Sequence, residues 1–181
     1  CAAKLTKDQI TEFSARAIPL LFYNRQAGSH AASAVCCDQA DGSHVLCEGV
    51  LRAGHTSFAL LKGPADSVVG TEREDSARAA LERAGIETIT ELKGDFSYEG
   101  ARDAIRRFME SDASLPDAII CVNDVSAIGA MDTLRNEFGV AIPEQVSVVG
   151  FDGVGPSGWS SFDLTTIRHP VRRMTRAAVD M

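Results

Sequence analysis

The stretch Pro116-Asp117-Ala118-Ile119-Ile120-Cys121-Val122-Asn123-Asp124-Val125-Ser126-Ala127-Ile128-Gly129-Ala130 decides the fold. Residues 118–122 are all apolar, a polar Asn-Asp pair follows, and then the spacing changes. Ile128, Met131, Leu134 and Phe138 recur at helical intervals, and Gly139 supplies a stop. A short, continuously apolar run is what a parallel strand covered on both faces requires. The same succession of apolar run, polar turn and amphipathic helix recurs along the chain. Residues 18–23, 57–61, 88–92, 118–122 and 146–151 read as strands. Residues 7–16, 42–53, 72–84, 98–110 and 125–138 read as helices, and a last helix starts after Pro170, whose fixed φ suits a first turn. Asp41-Gly42 opens the helix at 42, whose stripe is Gly42, Val45, Leu46, Gly49, Val50 and Ala53. Asp124 is placed to cap the helix that follows it. Alternation of this kind implies βαβ units with right-handed crossovers, hence an α/β fold built on parallel sheet with helices on both faces. Residues 25–33 and 153–162 are the loop-like stretches of any length. No strand precedes the first helix and none follows the last, so the pattern reads as a piece truncated at both ends.

Composition narrows the function. The chain has 181 residues and a formal net charge of −7, with 45% hydrophobic residues. An acidic chain is poorly suited to gripping a phosphate backbone by itself, which draws on clustered Lys and Arg. Arg168, His169, Arg172, Arg173 and Arg176 form the one dense basic stretch and suit a solvated helix face. No apolar run approaches the roughly 20 residues of a membrane span, and the residues around Lys4, Lys7 and Asp8 do not make a signal peptide. Cys1, Cys36, Cys37, Cys47 and Cys121 are odd in number and irregularly spaced. With His30, His44, His55 and His169 at no ligand spacing, they predict no metal site. Free thiols suit a reducing cytoplasm.

Ligands of open parallel sheets settle beyond the carboxyl ends of the strands. Those ends carry Asn24-Arg25, Lys62-Gly63-Pro64 with Arg73 in the next helix, Gly94-Asp95-Phe96, Asn123-Asp124 and Asp152-Gly153. Arg73 offers a fork of donors, Asp152 accepts, and Asn123 does both, a set that matches the vicinal hydroxyls of a sugar; Phe96 can stack on its C–H face. Nucleosides and purines fit the same logic. Each residue has an ordinary use as well: Asn123 tidies a helix turn, Arg73 pairs with Glu74 or Asp75 on a surface, Asp152 makes an Asx-turn, and Phe96 fills core. Nucleotide-loop, nucleophile-elbow and zinc-protease motifs are absent, so the chain reads as a binding module, not an enzyme, with no cofactor.

The quoted stretch resembles the hallmark of the effector-binding core of the LacI/GalR transcriptional regulators. The resemblance continues through Ile142-Pro143-Glu144-Gln145-Val146-Ser147-Val148-Val149-Gly150-Phe151-Asp152 and Leu164-Thr165-Thr166-Ile167-Arg168-His169-Pro170. It also takes in Ala53-Gly54-His55 and Gly63-Pro64. It implies a two-lobed core of the periplasmic-binding-protein type (type I), with a remnant of the N-terminal lobe at 1–36 and 167–181 and the C-terminal lobe at 37–166. A helix-turn-helix DNA-binding domain is missing from this chain. It further implies a cytoplasmic, dimeric regulator, most simply a repressor, whose interlobe cleft binds a small polar effector and controls operator binding by the missing domain. Position by position, the family's effector contacts fall on Arg73, Asn123, Asp152, Phe96 and Asn24. The alternative is a periplasmic-type sugar-binding protein of a transporter. Three departures stand out: Ser76-Ala77 replace a Gly-aromatic pair, Cys36-Cys37 occupy a crossing point usually larger and apolar, and Asn24 replaces an aspartate.

Overall fold

The structure is a computed structural model that describes residues 6–16, 18–24 and 32–181. Cys1, Lys4, His30 and residues 25–31 of the expected loop therefore lie outside the described residues. In chain order the elements are α1 (Lys7–Ala15), β1 (Leu21–Tyr23), β2 (Ser33–Val35), α2 (Gln39–Arg52), β3 (Phe58–Lys62), α3 (Val68–Arg83) and β4 (Ile89–Lys93). Then come α4 (Tyr98–Met109), β5 (Ala118–Cys121), α5 (Asp124–Phe138), β6 (Ser147–Asp152), β7 (Thr165–Arg168) and α6 (Val171–Val179). A 3₁₀ turn, Gly155–Gly158, interrupts the expected loop at 153–162.

The chain divides into two compact units, residues 1–38 with 170–181 and residues 39–169. Within the first, β1 and β2 pair in parallel, with Leu21 opposite Ser33, and α6 packs against them. Met174 is its buried anchor, and Tyr23 Oη donates to the Val171 carbonyl at 3.3 Å.

The second unit is a five-stranded, wholly parallel sheet in the order β4-β3-β5-β6-β7. Strand alternation explains why the interior strands β3, β5 and β6 are nearly continuously apolar. Ala59, Leu61, Ile119, Cys121 and Val148 face a core shared with Ala101, Ile105 and Phe108 of α4 and Ala127, Met131 and Leu134 of α5. Phe58, Leu60, Ala118, Ile120 and Val149 face the other way, onto Leu46 and Val50 of α2 and Ala77 and Leu81 of α3. Each such fully buried Leu, Ile or Phe contributes about 1.5–3 kcal/mol of transfer free energy. The chain steps outward from β3 to β4, then crosses back to β5, so β3 and β5 flank the point where winding reverses. At such a point the strand ends leave a crevice.

Several boundaries differ from the sequence reading. The strand expected from residue 18 forms only at Leu21–Tyr23. Two short strands, β2 and β7, were not expected, because neither is a continuous apolar run. α3 starts at Val68, where Ser67 Oγ accepts from the Gly70 amide at 3.1 Å. α2 starts at Gln39, before Asp41-Gly42, and buries Gly42, Ser43, Leu46, Cys47 and Val50, while Val45 stays half exposed. Its face is turned because Gly42 sits against Phe151: a Cβ there would lie 2.6 Å from the ring. Asp124 is not the cap of α5. Asn123 is, with extended φ −153° and ψ 165° and its Oδ1 accepting from the Ser126 amide at 2.9 Å. Asp124 is instead wholly buried in the first turn, accepting from the Val154 amide (2.8 Å) and Thr166 Oγ1 (2.5 Å).

Candidate functional site

Asp152 ends β6 with φ +127°, a conformation most side chains avoid. Gly153 follows at φ +72°, where a Cβ would sit 2.7–2.9 Å from Arg168. Such backbone persists only when its surroundings enforce it, and it collects at ligand sites. Here the enforcement is visible. The Asp152 carbonyl accepts from the His169 amide at 3.0 Å. The Asp152 Oδ1 lies 3.0 Å from Arg73 Nη2 and 2.9 Å from His169 Nε2. A guanidinium only donates and an ionised carboxylate only accepts, so Oδ1 is satisfied when Nε2 also carries a hydrogen and donates to it. The 3.1 Å approach of Arg73 Nη2 to Nε2 is then two donors sharing one acceptor.

Arg73 lies on the second turn of α3 and is 4% exposed. Its Nε donates to Gln39 Oε1 at 2.8 Å and its Nη1 to the Val122 carbonyl at 2.6 Å, while the guanidinium lies 3.8 Å from the centroid of Phe151. Donors aimed at three separate acceptors, with an aromatic face beneath, explain how a charged side chain is tolerated at such depth. The Asp152 side chain remains 25% exposed, so of the pair it is the carboxylate that faces outward.

Phe96 follows Asp95, and both have positive φ, 53° and 57°. That sharp turn lays the Phe96 ring over Gly63 and Gly70, where added Cβ atoms would fall 2.7 and 2.9 Å from it. The Phe96 carbonyl accepts from Asn123 Nδ2 at 3.2 Å. Asn123 is thus fixed at both ends of its amide.

Four of the five expected residues come together. Asp152 touches Arg73, Arg73 holds the carbonyl next to Asn123, and Asn123 holds Phe96, all at the C-terminal edge of one sheet. The fifth, Asn24, is a residue of the first unit, where its amide donates to the Val35 carbonyl at 2.8 Å and its φ is +53°. Gln39 and His169 were missed by the sequence reading. His169 directly follows β7, so the strand-end rule finds it once β7 is recognised; Gln39, 2% exposed, carried no pattern. A cavity of about 580 Å³ lies elsewhere in this unit, beside edge strand β7, lined by Val45, Met131, Ile142, Phe162 and Ile167 among others and by none of the candidate residues. Among the described residues no group of three or more His, Cys, Asp or Glu side chains is placed to hold a metal, and no helix is long and apolar enough to cross a membrane.

Residues 48–181 match the family model of the periplasmic binding protein-like domain. The chain belongs to this family. Its periplasmic binding protein-like core is of the kind found in LacI-family transcriptional regulators, as the relatives show. It is 31% identical over 178 residues to the HTH-type transcriptional regulator AscG of Escherichia coli (strain K12), covering 97% of this chain and 52% of that protein. It is 30% identical over 142 residues to the ribose operon repressor of the same strain, covering 77% of this chain and 42% of the repressor. Among solved structures it superposes on a LacI transcriptional regulator from a Rhodococcus species with a TM-score of 0.90 at 27% identity, covering 98% of this chain and 65% of that one. A sugar-binding LacI-family regulator from Escherichia coli, complexed with phosphate, gives 0.82 at 30% identity, covering 98% and 64%. The chain spans about half the length of the curated relatives it matches.

Proposed function

We propose that this chain is the effector-sensing part of a cytoplasmic LacI-family transcription regulator, most simply a repressor. It binds a small polar molecule, a sugar in our reading, without chemical conversion. The observation that carries this is the outward-facing carboxylate of Asp152, which has positive φ and pairs with buried Arg73, whose guanidinium also holds the Val122 carbonyl next to the pinned amide of Asn123. An acceptor beside an amide suits hydroxyls that both donate and accept. The printed description of the Escherichia coli structure as sugar-binding favours the same ligand class. Nucleosides and purines are the competing class. In the regulator as a homodimer, effector affinity that differs between conformational states shifts their populations and so alters operator binding by a DNA-binding domain.

A thermal-shift screen of pentoses, hexoses, disaccharides, nucleosides and purines tests the proposal. The cognate class at a hundredfold excess over Kd raises Tm by roughly 5–11 °C for a domain of this size. Asp152→Asn and Asn123→Ala lose that response while staying folded. If both variants respond like the wild type, the site is misassigned.

A further inference from the structure

Strand β6 is longer than the strand that covers its edge. It runs from Ser147 to Asp152, but β7 pairs with it only from Val149 onward, with Thr165 opposite. The first two residues of β6 thus lie beyond the reach of β7, and the cavity of about 580 Å³ opens beside them. On the α2 side it is lined by Gly49 and the half-exposed Val45, and on the α5 side by Met131. Ile142 and Phe162 add to the apolar lining. Gly49 leaves room there, since a Cβ on it would meet nothing within 4 Å. Protein interiors seldom leave voids larger than a water molecule. A space of this size falls instead in the range of roughly 300–1,000 Å³ that ligand pockets occupy, mostly apolar with a few polar groups.

The polar side chains of the lining decide what can enter. His55 Nε2 and Ser147 Oγ lie 2.9 Å apart and satisfy each other. Asp163 is exposed, so water and salt screen its carboxylate. Arg135 is different. Partly buried on α5, it donates from Nη1 to the Ser161 carbonyl at 2.8 Å and from Nη2 to the Ile142 carbonyl at 3.3 Å. Two neutral carbonyls orient the guanidinium without cancelling its charge, and no carboxylate pairs with it among the described residues. A guanidinium has five N–H donors, so these two bonds leave capacity for an anion.

We propose that this cavity is a second ligand site, for an organic acid with an apolar body and a single carboxylate. The body displaces water from the walls given by Val45, Met131, Ile142 and Phe162. The carboxylate accepts charge-assisted hydrogen bonds from Arg135. A multiply charged anion does not suit such walls, because burying charge without a matching partner is costly. The site is separate from the one around Asp152: it lies at the start of β6, and Asp152 ends that strand. The inference is independent of the effector reading.

Isothermal titration calorimetry of the folded chain with 2-naphthylacetate tests it. The matching amide and the matching naphthylethylamine carry the same rings with a neutral and a cationic head. The expected result is saturable binding of the acid at one site per chain, with the amide about tenfold weaker and the amine weaker still. Gly49→Leu, which places a side chain in the open space of the cavity wall, abolishes binding while circular dichroism shows an intact fold. Arg135→Gln lowers affinity for the acid to that for the amide, and Arg135→Lys restores part of it. Asp152→Asn binds the acid as the wild type does. The proposal is overturned if the wild type gives no saturable heat, or if acid and amide bind equally. Undiminished binding by Gly49→Leu, or loss of binding in Asp152→Asn, overturns it as well. Sedimentation of the same samples covers another occupant: if self-association of the chain displaces the probe, the cavity is a contact between copies and the proposal falls.

Discussion

A single carboxylate oxygen of Asp152 takes both Arg73 Nη2 and His169 Nε2, while the rest of the Arg73 guanidinium serves Gln39 and the Val122 carbonyl. The two members of this ion pair are therefore unequal. Removing Arg73 strips donors from three acceptors at once, in a site only 4% exposed. Arg73→Ala should cost on the order of 3–5 kcal/mol, the range for breaking a buried pair. Asp152→Asn keeps the shape and one acceptor oxygen at a position that is a quarter exposed, and should cost about 1–3 kcal/mol. Urea denaturation of both variants checks the order; equal losses would mean that charge, not donor count, sets the stability. This asymmetry was hidden in the sequence. Arg73 lies among Glu72, Glu74 and Asp75, a context that reads as surface, yet it shares the buried face of α3 with Gly70, Ala77, Ala80 and Leu81. The strand-end rule nonetheless located Asp152, Asn123, Phe96 and Arg73, because it depends on topology and not on burial. Asn123 and Asp124 show the limit of that rule: either can cap α5 on paper, and the choice fell to Asn123 because Asp124 is needed by Val154 and Thr166.

Elements in this fold are set close by small residues, and there local propensity and packing oppose each other. Gly129 in α5 faces α4, and a Cβ would lie 2.5 Å from the Tyr98 carbonyl oxygen. Replacing a mid-helix glycine with alanine gains about 1 kcal/mol in propensity, but overpacking against backbone costs about 1–3 kcal/mol. Packing wins, so Gly129→Ala should lower the urea midpoint, whereas Gly49→Ala in α2, with nothing within 4 Å, should raise it slightly. A second inter-element tie is electrostatic. Asp117, just before β5, accepts from the Thr56 amide (2.7 Å), the Ser57 amide (2.9 Å) and the Thr56 hydroxyl (2.9 Å), joining the starts of β3 and β5. These donors, the Thr56 amide foremost, lower its carboxyl from an ordinary 3.8 to about 2. A lowered carboxyl stabilises the folded state fully above the unfolded value and loses that contribution as pH falls from about 3.8 through 2. Asp117→Asn should therefore flatten the acid limb of the Tm–pH curve, by a modest amount because the group is solvent-screened. The three interior strands β3, β5 and β6 were legible to within one residue, since each fills two cores at once, and edge strand β4 was placed as closely. β7 was not: its Thr165-Thr166-Ile167-Arg168 is an edge strand, partly exposed throughout, and it leaves no continuous apolar run to read.

Charge is a property of the whole chain, and it bears on how such a core can influence DNA. The net charge is −7, and the exposed arginines Arg168, Arg172, Arg173 and Arg176 are a local exception. His169, counted with them in sequence, is withdrawn into the Asp152 pair with a side chain only 9% exposed. Were all four arginines to meet phosphates, the binding constant would fall with salt at a log–log slope of about −3.6, and at 0.15 M salt the remaining surface charge is screened beyond about 8 Å. So short a basic patch on an acidic body yields at most weak, salt-labile association. A gel-shift titration of this chain should accordingly show no retained duplex at 0.15 M salt and, at most, smearing at a tenth of that. A discrete, sequence-dependent complex at 0.15 M would place DNA recognition inside these 181 residues. Without one, the effector site proposed at Asp152 acts on DNA, under that proposal, through whatever carries the basic contacts, as a change in the populations of conformational states.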